Sequence, residues 1–174
     1  MTQFNVTKGF KVPIRKLKSG CRIVDTNKLD EFWKHCDHLA NKRGCYVFSM
    51  KAAKGEKPFY VGKAAKQSFR NECFSPHKRA DHYNVILGER IGTPYLSFVA
   101  QQKVKGKWSL TAIDEVEKFL IAIGFARNPE LSNRKGLPNQ TWSIQGVVAA
   151  GKGKPSAEAK AFRTLMGIKP TFPK

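Results

Sequence analysis

Acidic residues are scarce in this chain of 174 residues, which has 13 Asp and Glu against 32 Lys and Arg. The resulting formal net charge of +19 at pH 7 is larger than solubility alone requires. A positive surplus of this size predicts a polyanionic partner, and we expect that partner to be nucleic acid.

Long hydrophobic runs are also lacking. The longest nearly uncharged apolar run, residues 119–126, is far shorter than the roughly 20 residues that a membrane-spanning helix needs. Residues 1–30 contain several basic side chains and no apolar core of a secretory signal. We therefore expect a soluble, cytoplasmic protein with no membrane partner.

Cysteine is sparse, and its spacing argues against common metal motifs. The four cysteines form no C-x-x-C pair, and a chain of this size folds without disulfides, so we expect reduced thiols. His35, Cys36 and His38 lie close together, but Cys36 belongs to an apolar helical stripe and no second ligand pair with zinc spacing follows. A zinc site is therefore disfavoured.

The periodicity of apolar residues predicts both helices and strands. In chain order the predicted elements are a helix over 27–41, strands over 44–50 and 58–62, a helical region beyond 69, a strand over 94–100, a helix over 112–126 and a short helix over 156–166. We interpret residues 1–26 as an irregular basic lead-in, because glycine and proline interrupt any period there. The pattern indicates an α+β fold with a small, mainly antiparallel sheet of about three strands flanked by helices.

One acidic residue stands out on the predicted helix over 112–126. Glu117 lies within the apolar stripe of that helix, whereas Glu115 points the other way. A lone carboxylate on an apolar face costs several kcal/mol unless it is paired, protonated or bound to a metal ion. Glu117 therefore needs a partner, although a position at the rim of the stripe, paired with an arginine or reaching water, would also satisfy it.

The two hairpin strands carry the tripeptides Gly44-Cys45-Tyr46 and Tyr60-Val61-Gly62, and Arg70 follows eight residues after Gly62. Further along are Glu117-Lys118-Phe119-Leu120-Ile121 and, after a turn that contains proline, Asn133. This ordered set resembles the GIY-YIG nuclease family, with the glutamate in the place of its E-x-x-L-I motif. The resemblance covers residues 44–133, about half of the chain.

The resemblance implies a metal-dependent endonuclease that hydrolyses phosphodiester bonds. It gives Tyr46 as the general base, Tyr60 as the residue that positions water or phosphate, Arg70 as the phosphate brace and Glu117 as the metal ligand. Mg²⁺, with Mn²⁺ as an alternative, suits a site with a single carboxylate, because Mg²⁺ keeps several of its waters. A phenol has a pKa near 10, so a tyrosine base needs nearby cations to favour its phenolate.

Other predicted site residues support or surround these four. By the resemblance, Gly44 and Gly62 shape the strands and Asn133 ties the loop to the site. The candidates for substrate contact are basic side chains: Lys63, His77, Lys78 and Arg79. Many members of the family have a histidine four residues after the arginine, where this chain has Phe74; His77 and His82 are the candidates to replace it.

These assignments divide the chain into three parts. Residues 1–43 form a basic arm and a helix that packs on the domain, residues 44–133 form the nuclease-like domain, and residues 134–174 form a basic extension with a short helix. Basic segments are spread along the chain rather than gathered in one recognition helix, which favours non-specific or structure-directed binding to the phosphate backbone. We expect DNA rather than RNA as the partner.

Three alternatives stay open at this point, and so does the oligomeric state. The first alternative is a nucleic-acid-binding protein that has the fold but does not cleave. The second is a nuclease directed at RNA, and the third is a small basic RNA-binding protein whose resemblance to the family is accidental. The last alternative predicts that Tyr46, Tyr60, Arg70 and Glu117 do not converge in space.

Overall fold

A computed structural model describes residues 2–103, 106–133 and 155–165 of the chain. The chain divides into two compact units, Met1–Gly136 and Leu137–Lys174. The first unit has an α+β fold with antiparallel sheets and helices. In the second unit the described residues contain one helix, and residues 134–154 and 166–174 of the predicted basic extension lie outside the described residues.

The described residues contain seven strands. They are β1 (Phe4–Val6), β2 (Phe10–Lys11), β3 (Ile14–Lys16), β4 (Arg22–Val24), β5 (Gly44–Ala52), β6 (Gly55–Ala64) and β7 (Thr93–Gln101). Strand β5 pairs antiparallel with β6 on one side and β7 on the other, and β1 and β2 both pair antiparallel with β7. Strands β3 and β4 form a separate two-stranded sheet.

The main sheet therefore has five strands, and the prediction of three was wrong. The two extra strands come from the segment interpreted as an irregular lead-in, where Phe4–Val6 and Phe10–Lys11 lie along β7. Strands of two or three residues are too short to show an alternating pattern. They form because the free edge of β7 offers unpaired backbone groups, which local sequence does not reveal.

The central hairpin is longer than its sequence pattern predicts. Its strands reach a two-residue turn at Ala53–Lys54, so part of the predicted connecting loop is paired, with Lys51 opposite Glu56. Gly55 follows this turn with φ +101°, a conformation that favours glycine. Residues 51–57, at the tip of the hairpin, are exposed, which explains why this part lacks the apolar residues that mark a strand.

In the first unit helices cover both faces of the sheet. They are α1 (Leu29–His35, after a 3₁₀ turn at Thr26–Lys28), α2 (Asp37–Ala40), α3 (Phe69–Glu72), α4 (Pro76–Lys78), a π-helical stretch (Arg79–Tyr83) leading into α5 (Asn84–Glu89), and α6 (Leu110–Arg127). The helix of the second unit is α7 (Ala157–Leu165). The first predicted helix is interrupted at Cys36, where the backbone leaves helical geometry. Helix α6 begins after Ser109, whose hydroxyl accepts a hydrogen bond from the Ala112 N–H at 3.3 Å.

The larger hydrophobic core lies on one face of the sheet and is rich in aromatic rings. The rings that meet there come from the strands and from α1, α3 and the helical region beyond it: Trp33, Tyr46, Phe48, Tyr60, Phe69, Phe74, Tyr83 and Phe98. Alternation along the strands sends Cys45 to the opposite face, where it packs with Val99 and Ile113 of α6. The first face thus holds both motif tyrosines, and the second supports α6.

Candidate active site around strand β6

The register of the central hairpin brings the two motif tyrosines together. Tyr46 lies opposite Gly62, and Phe48 lies opposite Tyr60. The ring centroids of Tyr46 and Tyr60 are 6.2 Å apart. A Cβ atom at Gly62 would lie only 2.5 Å from the Tyr46 hydroxyl oxygen, so the absence of a side chain there makes room for the tyrosine ring. The tyrosine of the first tripeptide therefore requires the glycine of the second.

Gly44 meets a different requirement at the start of β5. Its φ of +147° lies in the region that favours glycine, and a Cβ there would overlap the Val99 carbonyl oxygen of the neighbouring strand. Any other residue would have to move β5 away from β7. Both glycines of the tripeptides thus have steric reasons for their positions.

The environment of Tyr46 is poorly suited to a general base. Its side chain is fully buried, and its hydroxyl makes no hydrogen bond. Burial, reinforced by the neighbouring Tyr83, raises the pKa of Tyr46 well above its usual value. Ionising this phenol would place an unpartnered charge in the aromatic core, so the geometry disfavours Tyr46 for the role that the resemblance implies.

Tyr60 has the cationic partner that Tyr46 lacks. Its hydroxyl accepts a hydrogen bond from Lys78 Nζ at 2.6 Å. The Tyr60 side chain is also buried, 3% exposed, and burial raises its pKa on balance, although the hydrogen bond and the charge of Lys78 lower it. Of the two motif tyrosines, Tyr60 is therefore the one whose ionised form is stabilised by a direct contact.

Lys78 was expected to contact substrate, but the structure places it largely inside the protein. Its side chain is 15% exposed, and its ammonium lies between the Tyr60 hydroxyl and Glu72 Oε1, the latter 3.6 Å away. Arg79, another expected substrate contact, donates from Nε to the Phe74 carbonyl at 2.9 Å. Both side chains thus have partners within the protein.

The two candidate histidines lie in different surroundings. The His82 ring packs against Tyr60 with centroids 4.2 Å apart, and its Nδ1 is 2.7 Å from Ser132 Oγ. Burial, followed by the charge of Lys78, lowers the pKa of His82. His77 is exposed, with Nδ1 3.3 Å from Ser75 Oγ. His82 is therefore the histidine at the tyrosine pair.

Glu117 lies on α6 and forms an ion pair with Lys63 of strand β6. Lys63 Nζ is 2.8 Å from Glu117 and 2.9 Å from Asp114, one turn earlier on the helix. The hydrogen bonds to Glu117 and then Asp114 raise the pKa of Lys63 above its usual value. Glu117 is 18% exposed. Its ion pair holds it at β6, the strand of Tyr60, but on the face of the sheet that supports α6, opposite to the face that holds the two motif tyrosines.

The oxygens around Lys63 have the chemistry that a divalent cation would need. Asp114 and Glu117 already converge on one positive charge, and carboxylates are the ligands that Mg²⁺ prefers. Within residues 2–103, 106–133 and 155–165, no group of three or more His, Cys, Asp or Glu side chains is placed to hold a metal ion. Both carboxylates are paired with the Lys63 ammonium in this structure.

Arg70 lies on α3, which packs next to the two motif tyrosines, but its side chain pairs with Asp30 of α1. The preceding residue, Phe69, packs edge-on against Tyr46 with centroids 6.4 Å apart. The guanidinium donates to Asp30 on α1 at 2.8 Å, and both side chains are exposed to solvent. Arg70 is thus accessible to a phosphate, which would compete with Asp30 for it.

Asn133 joins the segment after α6 to the edge of β6. Its side-chain oxygen accepts a hydrogen bond from the Val61 N–H at 3.0 Å, and its amide nitrogen donates to the Val61 carbonyl at 2.5 Å. The Ser132 N–H also donates to the Phe59 carbonyl at 2.7 Å. Asn133 therefore continues the sheet at its open edge, between the two motif residues Tyr60 and Gly62.

Replacing Asn133 with Ala should lower the free energy of unfolding by about 1–3 kcal/mol, because both backbone groups of Val61 lose their partners. Urea denaturation followed by circular dichroism measures the change. Asn71→Ala, at an exposed position, is the matched control and should change stability by less than about 0.5 kcal/mol. Equal effects of the two substitutions would contradict the role given to Asn133.

Two residues of this region were not assigned roles from the sequence. Asp114 shares Lys63 with Glu117, and its spacing of three residues from Glu117 on a helix was an available signal. Glu72 pairs with Lys78, a contact that depends on how α3 and α4 pack on Tyr60. That contact leaves no pattern in the sequence.

Comparison of the chain with protein-family models, with curated proteins and with solved structures found no match. Within the part of the chain that the structure describes, none of the helices combines the length and hydrophobicity that crossing a bilayer demands. The case for a function therefore rests on the motif residues and on the geometry around β6.

Proposed function

We propose that this protein is a metal-dependent endonuclease that hydrolyses phosphodiester bonds in DNA, without sequence specificity or directed by DNA structure. The proposal is supported by the resemblance of residues 44–133 to the GIY-YIG family. The observation that carries it is the ion pair of Glu117 with Lys63, three residues after Tyr60 on β6. An acid far away in sequence is thus held at the strand that carries a motif tyrosine.

In this proposal each side chain around β6 has a different role in hydrolysis. Glu117, with Asp114 beside it, would hold Mg²⁺ or Mn²⁺, and the metal when bound would stabilise negative charge on the phosphoryl oxygens. Tyr60 accepts a proton from the attacking water. Arg70 leaves Asp30 and braces the phosphate with its forked guanidinium. Tyr46 packs against Tyr60, with ring centroids 6.2 Å apart.

Charge supports nucleic acid as the substrate. With a formal net charge of +19, the protein would bind the phosphate backbone tightly at low salt and weakly at high salt. The substrate contacts proposed from the sequence differ in accessibility, because Lys63 and His77 reach solvent while Lys78 and Arg79 have partners inside. The cytoplasm is the proposed location, consistent with three buried free thiols, Cys36, Cys45 and Cys73.

A second function, nucleic-acid binding without cleavage, is favoured by a specific observation. The carboxylate of Glu117 is neutralised by Lys63, and the guanidinium of Arg70 is paired with Asp30. Both groups that would act on a phosphodiester thus already have partners of opposite charge. Binding of nucleic acid without cleavage would not require either ion pair to break.

Incubation of the purified protein with supercoiled plasmid and Mg²⁺, with and without a chelator, separates the two functions. Nicking that the chelator stops and that Arg70→Ala lowers by about 100-fold would support the endonuclease. Retention of plasmid on a gel without nicking, by wild type and variant alike, would support the binding protein. The same assay with RNA tests the preference for DNA.

A further inference from the structure

The contact between Lys78 and Tyr60 joins two parts of the chain that are 18 residues apart. Lys78 is the last residue of α4, and Tyr60 is in the middle of β6. The ammonium is held from its other side by Glu72, whose side chain is also mostly buried. A lysine buried to this extent loses hydration, so its contacts with a phenol and a carboxylate replace water.

We propose that Lys78 is a positioning residue that orients the Tyr60 hydroxyl and stabilises its phenolate, so that Tyr60 is the general base. This inference rests on the proposed endonuclease function. In the step concerned, the water oxygen forms a bond to phosphorus, the phosphorus–oxygen bond to the leaving group breaks, and the water proton passes to the Tyr60 oxygen. The leaving oxygen takes a proton from solvent.

The other groups near Tyr60 make different contacts. His82 packs on the ring and bonds Ser132, the Tyr46 side chain is buried, and the charge of Glu117 raises the pKa of Tyr60. Among the residues that the structure describes, Lys78 is the one cation that donates a hydrogen bond to the Tyr60 hydroxyl. Its removal would leave Tyr60 buried and beside a negative charge, with its pKa raised further.

The titration of Tyr60 measures the coupling without reference to activity. In protein labelled with ¹³C at the tyrosine Cζ, the Tyr60 signal is assigned with Tyr60→Phe and followed with pH. Lys78→Met and Lys78→Gln should both shift this titration to higher pH, because both remove the positive charge. Gln keeps a hydrogen-bond donor, so a shift in Lys78→Gln is an effect of the charge. Lys78→Arg should keep the wild-type titration. Lys66→Met, at an exposed position, is the matched control and should also keep it.

Cleavage rates provide the second measurement. In wild type the rate should rise with pH above neutrality as the phenolate fraction grows, and in Lys78→Met the rise should move to higher pH. At pH 7 the variant should cut about 10-fold more slowly, with DNA affinity unchanged to within about 3-fold. A structural role alone would lower thermal stability and leave the pH profile in place.

The outcomes separate this inference from the proposed function. If Lys78→Met and Lys78→Gln fold but leave the Tyr60 titration unchanged, the inference is wrong whether or not the protein cuts DNA. If the titration moves but wild type does not nick plasmid with Mg²⁺, the contact is real and the endonuclease function is wrong. A shift of both the titration and the pH–rate profile supports the inference.

Discussion

Replacing Glu117 with Gln should reduce Mg²⁺-dependent nicking of plasmid by about 10³-fold or more, the largest effect on activity that we expect. The substitution preserves the shape of the side chain but removes the charge that holds Lys63 at 2.8 Å. DNA binding should be equal or tighter, because the protein becomes more positive. Nicking is measured by gel electrophoresis, and binding by fluorescence anisotropy with a labelled duplex.

Glu115→Gln is the matched control for this experiment. Glu115 is on the same helix, two residues away and exposed, so the substitution changes net charge equally and should leave the rate unaltered. Asp114→Asn should have an intermediate effect of about 10-fold, because Asp114 contacts the same lysine from a more exposed position. If Glu115→Gln and Glu117→Gln nick plasmid as wild type does, the activity comes from another site or from a contaminant.

Replacing Gly62 with Ala should lower the free energy of unfolding by about 2 kcal/mol, although alanine usually stabilises a strand relative to glycine. The reason is steric. The added methyl group would lie 2.5 Å from the Tyr46 hydroxyl oxygen, and because protein cores are close-packed, the fully buried Tyr46 ring could move only by displacing its neighbours. Chemical denaturation measures the loss, and the fluorescence of the core aromatic residues reports any displacement of the ring.

Gly88→Ala is a control with the opposite sign. Gly88 lies in helix α5, no atom is within 4 Å of the position that its Cβ would occupy, and alanine should stabilise the helix by up to about 1 kcal/mol. A double substitution, Gly62→Ala with Tyr46→Leu, should be less destabilising than the sum of the two single substitutions. Additive effects would show that the methyl group does not meet Tyr46.

The predictable part of the fold is the part governed by local pattern. The hairpin, the strand at β7 and helix α6 were all expected near their observed positions, because each contains enough residues to show a period of two or of 3.6. The short strands β1 and β2 were missed, since they depend on the edge of β7 rather than on their own residues. The break at Cys36 was also missed, because the apolar stripe continues across it.

The candidate site was likewise predictable where local pattern governs it and not where tertiary contacts do. The order of motif residues along the chain pointed to the tyrosine pair, and the apolar stripe of α6 pointed to Glu117 as a residue that needs a partner. The partner of Glu117 is Lys63, which also pairs with Asp114, rather than the arginine that the alternative interpretation suggested. Neither periodicity nor motif spacing indicated that Lys78 would turn inward to Tyr60.

The amino-acid sequence alone established the large positive charge, the α+β composition and the two glycine–tyrosine tripeptides, because composition and short-range spacing are properties of the chain. The choice between the two phenols came only with tertiary packing. Tyr46 and Tyr60 carry the same functional group on adjacent strands, but one is enclosed by aromatic rings and the other is next to an ammonium group. Burial and the nearest charge determine which phenol ionises more readily, and both depend on helices that join the strands only in the folded protein.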